Sequence, residues 1–287
     1  MDNQQHYIVS QLYKPSFWRE MLSYDAERKN TAFRTFNIVM KQYPTIRAKT
    51  VGSWLKKAYS QQVQEYPSAI IFKNALIKKY WLQNYSLKEA VLLDEFRIGS
   101  SITDALFLNG HAECIEIKSP LDTKNRLKGQ INDYKQFSHF RSRLVHYTQV
   151  DFYKDFALYE GLGLLYLTEC GEIERKNDAE TSHTKQLKTM LQSLRKEEYL
   201  ELTNKICGTI PTVGAFQLFK TCESWLNEFP IEQVQQEMIR ILKKRFNHEQ
   251  SILKRKKIPD YLYYPLTVLG SLVKDEETLK EILSKEI

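Results

Sequence analysis

A chain of 287 residues can bury one substantial core, or one core with helical additions. Its balance of 42% hydrophobic and 27% charged residues excludes a disordered chain, and the few Gly (10) and Pro (8) argue against long structureless linkers. The net charge of +7 is unevenly spread: Lys243, Lys244, Arg245, Lys254, Arg255, Lys256 and Lys257 stand against Glu249 alone. Such a run attracts polyanions, nucleic acid above all, but Lys and Arg also gather at helix C-termini as plain solvated surface.

No apolar run approaches the roughly 20 residues that cross a bilayer. The polar start lacks the basic-then-apolar layout of a signal peptide, so the expectation is a cytoplasmic protein without a membrane partner. Cys114, Cys170, Cys207 and Cys222 form no CxxC pair and the six histidines are scattered. That pattern argues against a zinc ribbon or a disulfide framework.

In chain order, residues 1–66 read as a helical region, with apolar residues at helical spacing around Phe33, Phe36 and Val39 and breaks at Pro15 and Pro44. Pro67-Ser68 then opens a helix carrying Ile70, Ile71, Ala75, Ile77 and Trp81. From Glu89 the pattern alternates: AVLLDEFRI, ITDALFL and HAECIEIK predict three strands, separated by Gly99-Ser100-Ser101 and Asn109-Gly110. A helix is predicted over 122–137, with Leu127, Ile131 and Tyr134 in one stripe, then strands around 143–149 and in GLLYLTECGEIER. After about Ala179 the chain reads as helical again. The predicted domains are therefore 1–66, a core over 67–179, and a helical 180–287.

The chemistry concentrates in Asp104 and in Cys114-Ile-Glu116-Ile-Lys118. Glu116 and Lys118 are two apart in a strand, so both leave one face while Ile115 and Ile117 face the core. Charges in an apolar strand are costly unless they are paired or bind a metal. Phosphodiester hydrolysis uses such a group. Mg²⁺ contacts one or two carboxylates and keeps several waters, polarises a phosphoryl oxygen and lowers the pKa of bound water. A neighbouring Lys orients that water and offsets developing charge. Asp104 and Glu116 as ligands and Lys118 as positioning cation fill these roles, with Mn²⁺ as a substitute metal. Gln130 and Tyr134 share a helix face, and Arg126, one turn earlier, is placed to reach a phosphate.

The order helix, Asp-bearing strand, ExK strand, helix resembles the PD-(D/E)XK nuclease superfamily, which includes restriction endonucleases and RecB-like exonucleases. Gln130-Ile-Asn-Asp-Tyr134 looks like the QxxxY motif of the RecB-like branch. IEIKSPLDTKNRLKGQINDY is similar to an uncharacterised bacterial family with an EIKS, Asp-Thr, Arg-Leu, Gln order. The resemblance spans about residues 68–200. It departs at Ile102, where the narrower family often has Arg, and at Thr103, which stands in place of Pro.

The resemblance implies an α/β, restriction-endonuclease-like mixed sheet flanked by helices, and a bacterial metal-dependent nuclease with Asp104, Glu116, Lys118 and Gln130 as catalytic residues. Glu95 would be an additional upstream acid on the metal. Arg126, Tyr134, Lys254, Arg255, Lys256 and Lys257 are the expected nucleic-acid contacts, with DNA ahead of RNA and a homodimer or partner protein left open. Defence, mobile-element biology or repair would be the setting. The rival expectations are a nuclease-like protein that binds nucleic acid without cutting it, and a structural or interaction protein.

Geometry adds one requirement. A two-residue turn at Asn109-Gly110 would put Asp104 and Glu116 on opposite faces, so a shared metal needs an odd loop. Leu108-Asn109-Gly110 is the predicted loop, pairing Phe107 with His111 and Asp104 with Cys114, and leaving Glu116 diagonal to Asp104.

Overall fold

The computed structural model describes residues 3–122, 127–246, 253, 258–270 and 276–287. Helices α1 (Asn3–Ser10), α2 (Pro15–Met21), α3 (Ala26–Lys41) and α4 (Val51–Glu65) come first. Asp25 caps α3 by accepting from the Glu27 and Arg28 amides, and Thr50 with Ser53 forms a capping box on α4. Helix α5 (Ala69–Ala75) runs through a π-helical turn, Leu76–Trp81, into α6 (Leu82–Asn84).

The sheet follows: β1 (Val91–Ile98), β2 (Ser101–Leu108), β3 (Ala112–Lys118), α7 (Leu127–Lys135), β4 (Phe140–His146), α8 (Val150–Tyr159), β5 (Gly163–Leu167) and β6 (Ile173–Asn177). Its six strands lie in sequence order. β1–β2–β3 and β5–β6 are antiparallel, whereas β3–β4–β5 are parallel, the crossovers carrying α7 and α8. The fold is α/β with a mixed open sheet. Helices α9 (Leu187–Gln192), α10 (Lys196–Cys207), α11 (Ala215–Leu226), α12 (Ile231–Lys243), α13 (Tyr263–Leu269) and α14 (Glu276–Ser284) complete the described chain.

Strand alternation sends the β2 and β3 side chains into two of the three core clusters. Ala105, Phe107, Ile115 and Ile117 pack into one cluster with α1–α5, α13 and α14. Leu106, Leu108, Ala112 and Cys114 pack into another with α7, α9, α10 and α12. β3 is thus covered on both faces, and only its last residue, Lys118, is partly exposed. Among the described residues, no helix is long and apolar enough to cross a membrane.

Two local readings differ from the sequence expectation. The strand predicted over 143–149 is β4, which ends at His146, and a 3-10 turn, Tyr147–Gln149, leads into the unanticipated α8. VDFYKDFALY is rich in aromatic residues, a composition that hides a helix whose buried positions, Tyr153 and Ala157, are four apart. The helix expected over 122–137 is described only as Leu127–Lys135.

Candidate active site

The β2–β3 connection is a three-residue loop, because Leu108 pairs with Ala112 across Asn109-Gly110-His111. Gly110 sits at φ +98°, where a side chain would be strained, and the Asn109 amide donates to the His111 carbonyl at 3.1 Å. The loop is odd, as a shared site requires, but it lies one residue later than predicted. Ala105 pairs with Ile115, not with Glu113 as the predicted register requires, so continuing the register puts Asp104 level with Glu116 rather than with Cys114.

Regular pairing of β2 with β3 stops at Ala105–Ile115. Beyond it, side chains take over two ladder positions. The Thr103 hydroxyl lies 3.1 Å from both the Ile115 and Ala105 carbonyls, and the Asp104 carboxylate accepts from the Ile117 amide at 2.8 Å. The strands part here, and Asp104 and Glu116 lie at the opening.

Glu116 is buried. The Gln130 amide donates to its Oε1 at 2.9 Å and the Tyr134 hydroxyl to its Oε2 at 2.9 Å, while Lys118 Nζ stands 3.8 Å from Oε1. The Tyr134 hydroxyl is also 2.9 Å from the Ile102 carbonyl, so one proton faces two acceptors. Burial, then the charge of Asp104, pushes the Glu116 carboxyl up to about 7, against the opposing pull of Tyr134, Lys118 and Gln130. Burial likewise raises Asp104, with the Ile117 amide, Lys73 and Lys118 working the other way. Two mutually repelling carboxylates held on one face, with a Lys beside them, form a donor set that suits a divalent cation. Asp104 and Glu116 are the residues that would hold it. Among the described residues, no three His, Cys, Asp or Glu side chains are gathered as a metal cage.

Glu95 faces Asp104 across β1–β2, between the pairs Asp94–Ala105 and Phe96–Thr103. Its backbone has φ +48°, unique among the described non-glycine residues. That twist reverses the alternation of β1: Leu92 packs in one core cluster, whereas Phe96 and Ile98 pack in the other. In consequence the adjacent Asp94 and Glu95 both reach one cation. Lys73 Nζ, on α5, is 2.8 Å from Asp94 and 3.0 Å from Glu95, and Tyr264 of α13 donates to Asp94 at 3.3 Å. Glu95, expected as an outer metal contact, is therefore engaged by Lys73 and is 66% exposed.

Sequence reasoning did not single out Lys73 or Asp94. The signal was present: Lys73 is a charge inside the buried run Ile71–Ile77, and Asp94 interrupts an apolar strand. Burial lowers the Lys73 pKa, but its carboxylate and tyrosine neighbours outweigh that and raise it.

Tyr134, expected among the nucleic-acid contacts, has its ring in the core and serves instead to hold Glu116. Arg126, Lys254, Arg255, Lys256 and Lys257 lie outside the described residues. The first three cations of the basic run are committed internally: Lys243 donates to the Glu89 carbonyl, Lys244 pairs with Glu201, and Arg245 pairs with Glu198 at 2.6 Å.

The fold and site thus define an α/β protein with a buried and a half-buried carboxylate gathered where two strands of a mixed sheet part. The chain belongs to the family of bacteriophage P4 protein cII, whose model matches residues 62–260, from the last turn of α4 to the approach to α13. No curated protein and no solved structure matches it.

Proposed function

We propose that the protein is a metal-dependent nuclease of the PD-(D/E)XK kind, with DNA as the favoured substrate. The observation that carries this reading is the juxtaposition of Asp104 and Glu116 across the opening of β2 from β3, with Lys118 beside them. A divalent cation, Mg²⁺ or Mn²⁺, when bound there, supplies Lewis acidity toward a phosphoryl oxygen and acidity to a coordinated water. The chain's own residues supply position and charge. Gln130 and Tyr134 fix the Glu116 carboxylate, and the Ile117 amide fixes Asp104. Lys118, partly exposed at the end of β3, donates to the attacking water or to a phosphate oxygen. Lys73 holds the neighbouring acids Asp94 and Glu95 away from the pair. Kinship with a bacteriophage protein family fits a role in mobile-element biology.

The test is incubation of the pure protein with Mg²⁺ or Mn²⁺ and labelled single-stranded DNA, duplex DNA and RNA. Cleavage that vanishes with EDTA, and in Asp104→Asn and Glu116→Gln, is the expected result. A protein that cuts none of these substrates, or whose variants cut as well as the parent, would overturn the reading.

A further inference from the structure

A cleft of about 600 Å³ opens along the outer edge of the sheet, walled by β1 on one side and by the segments around 192–195, 245–246 and 267–268 on the other. Its lining approaches the carboxylate site at Glu95, which falls level with Asp104 in the β1–β2 register.

Its charges divide into committed and free. Asp94 and Glu95 both pair with Lys73, and Arg245 is held by Glu198 through Nε and Nη2, each at 2.6 Å. Arg97 and Arg195, also on the lining, are exposed and within ion-pair distance of no described carboxylate, although the Arg195 charge acts on the nearby Glu198. Lys73 thus offsets one of the two acidic charges on the wall from behind, while two guanidinium groups face solvent at the rim. Phe246, partly exposed, adds an aromatic surface.

Guanidinium groups match phosphate oxygens in geometry and charge. A half-buried aromatic beside a basic groove, as Phe246 is with its ring packed on Trp81, leaves part of its surface for stacking on bases of any sequence. The volume is that of a small-molecule pocket rather than a channel for a duplex. We propose that this cleft is the track of a single polynucleotide strand running into the carboxylate site, with Arg97 and Arg195 gripping its phosphates. The proposal rests on the nuclease reading above and adds the strand state and the contacts.

The experiment measures binding without turnover. Fluorescein-labelled oligo-dT is titrated with the full chain in EDTA across a salt series, for the parent, Arg97→Gln, Arg195→Gln and the double variant. Arg240→Gln is the charge control, since Arg240 is an exposed residue paired with Glu237 and absent from the cleft. Each cleft variant should weaken binding roughly 3- to 10-fold and flatten the slope of log affinity against log salt by about 0.7, the single-strand value per phosphate contact. Arg240→Gln should match the parent. The proposal is overturned if the parent does not bind, if the double variant keeps the parental affinity and slope, if Arg240→Gln weakens binding equally, or if blunt duplex binds more tightly than the single strand. Cleavage assays in Mg²⁺ separate the two ideas. Weakened binding in the variants with no cleavage by the parent removes the nuclease reading and leaves the cleft, whereas parental cleavage with unchanged variant binding removes the cleft alone.

Discussion

Strand β3 buries two glutamates three residues apart, Glu113 and Glu116, each 8% exposed, and their surroundings differ in kind. Glu113 closes a chain of donors. Arg175 donates to the Tyr80 hydroxyl at 2.7 Å, Tyr80 donates to Glu113 at 3.2 Å, Ser142 donates to its other oxygen, and Arg175 stands 3.6 Å away as counter-ion. Glu116 has hydrogen bonds too, but Tyr134 is shared with a carbonyl, the nearest Lys is at 3.8 Å, and a second carboxylate, Asp104, raises its proton affinity. One acid is neutralised within the fold. The other is left in deficit of positive charge, which a cation from solution would supply.

The largest effect that can break this contrast is on catalysis. Glu116→Gln should lower Mg²⁺-dependent cleavage at least about 10³-fold while leaving the melting temperature unchanged or higher, since a repelling carboxylate is removed. Glu113→Gln should do the reverse. It strips a half-buried ion pair and the charge on the Tyr80 and Ser142 hydrogen bonds, and should cost about 1–3 kcal/mol of stability, with cleavage per folded molecule retained. Thermal melts and cleavage rates on both variants decide the matter, and an inert but stable Glu113→Gln would erase the distinction.

A smaller effect lies in pH. Glu116 has a folded pKa of about 7 against 4.5 for the free side chain, so between these values the native state binds the extra proton. Stability from this group is present below about pH 4.5 and is lost as pH rises through 7, by on the order of 2–3 kcal/mol. Asp104, shifted the same way, adds to the trend. Urea unfolding in EDTA should therefore show a midpoint that falls from pH 5 to pH 8, a fall reduced in Glu116→Gln and opposed by added Mg²⁺ at pH 8 through preferential binding to the native state. A midpoint that rises over this range in the parent but not in the variant would contradict the deficit at Glu116.

Much of this was legible in the sequence and part was not, for physical reasons. The strands carrying Asp104, Glu116 and Lys118 follow from period-two alternation, and the need for an odd loop follows from parity alone. The register did not follow, because Gly110 tolerates its left-handed conformation in either loop, and only the packing of Leu108 and Ala112 into one cluster selects between them. Helix α8 stayed hidden behind its aromatic composition. Lys73 is 21 residues and more from the acids it holds, a distance in sequence at which no spacing rule operates. The positive φ of Glu95, which brings Asp94 and Glu95 to the same cation, leaves no trace in residue type, since Glu is not a residue that favours that region.

The finest contrast is between the two arginines that accompany these glutamates. Arg175 is paired with Glu113 and bonded to Tyr80. Arg143 lies level with Glu116 on the adjacent strand and is 2% exposed, yet among the described residues its Nε and Nη1 have no hydrogen-bond partner; the rings of Tyr153 and Phe156 cover it at 5.1 and 5.5 Å. A buried guanidinium with unmet donors is costly, and a thioether packs readily against aromatic rings. Arg175→Met should thus destabilise by about 1–2 kcal/mol, the value reduced by the partial exposure of its side chain. Arg143→Met should stabilise by about 1 kcal/mol near pH 5, where Glu116 is protonated. The gain should shrink near pH 8, because an ionised Glu116 then loses a favourable neighbouring charge. Urea midpoints for both variants at the two pH values measure this directly. Equal losses for Arg143→Met and Arg175→Met at both values would mean that Arg143 is as firmly partnered as Arg175, and that the charge deficit at Glu116 is already met within the fold.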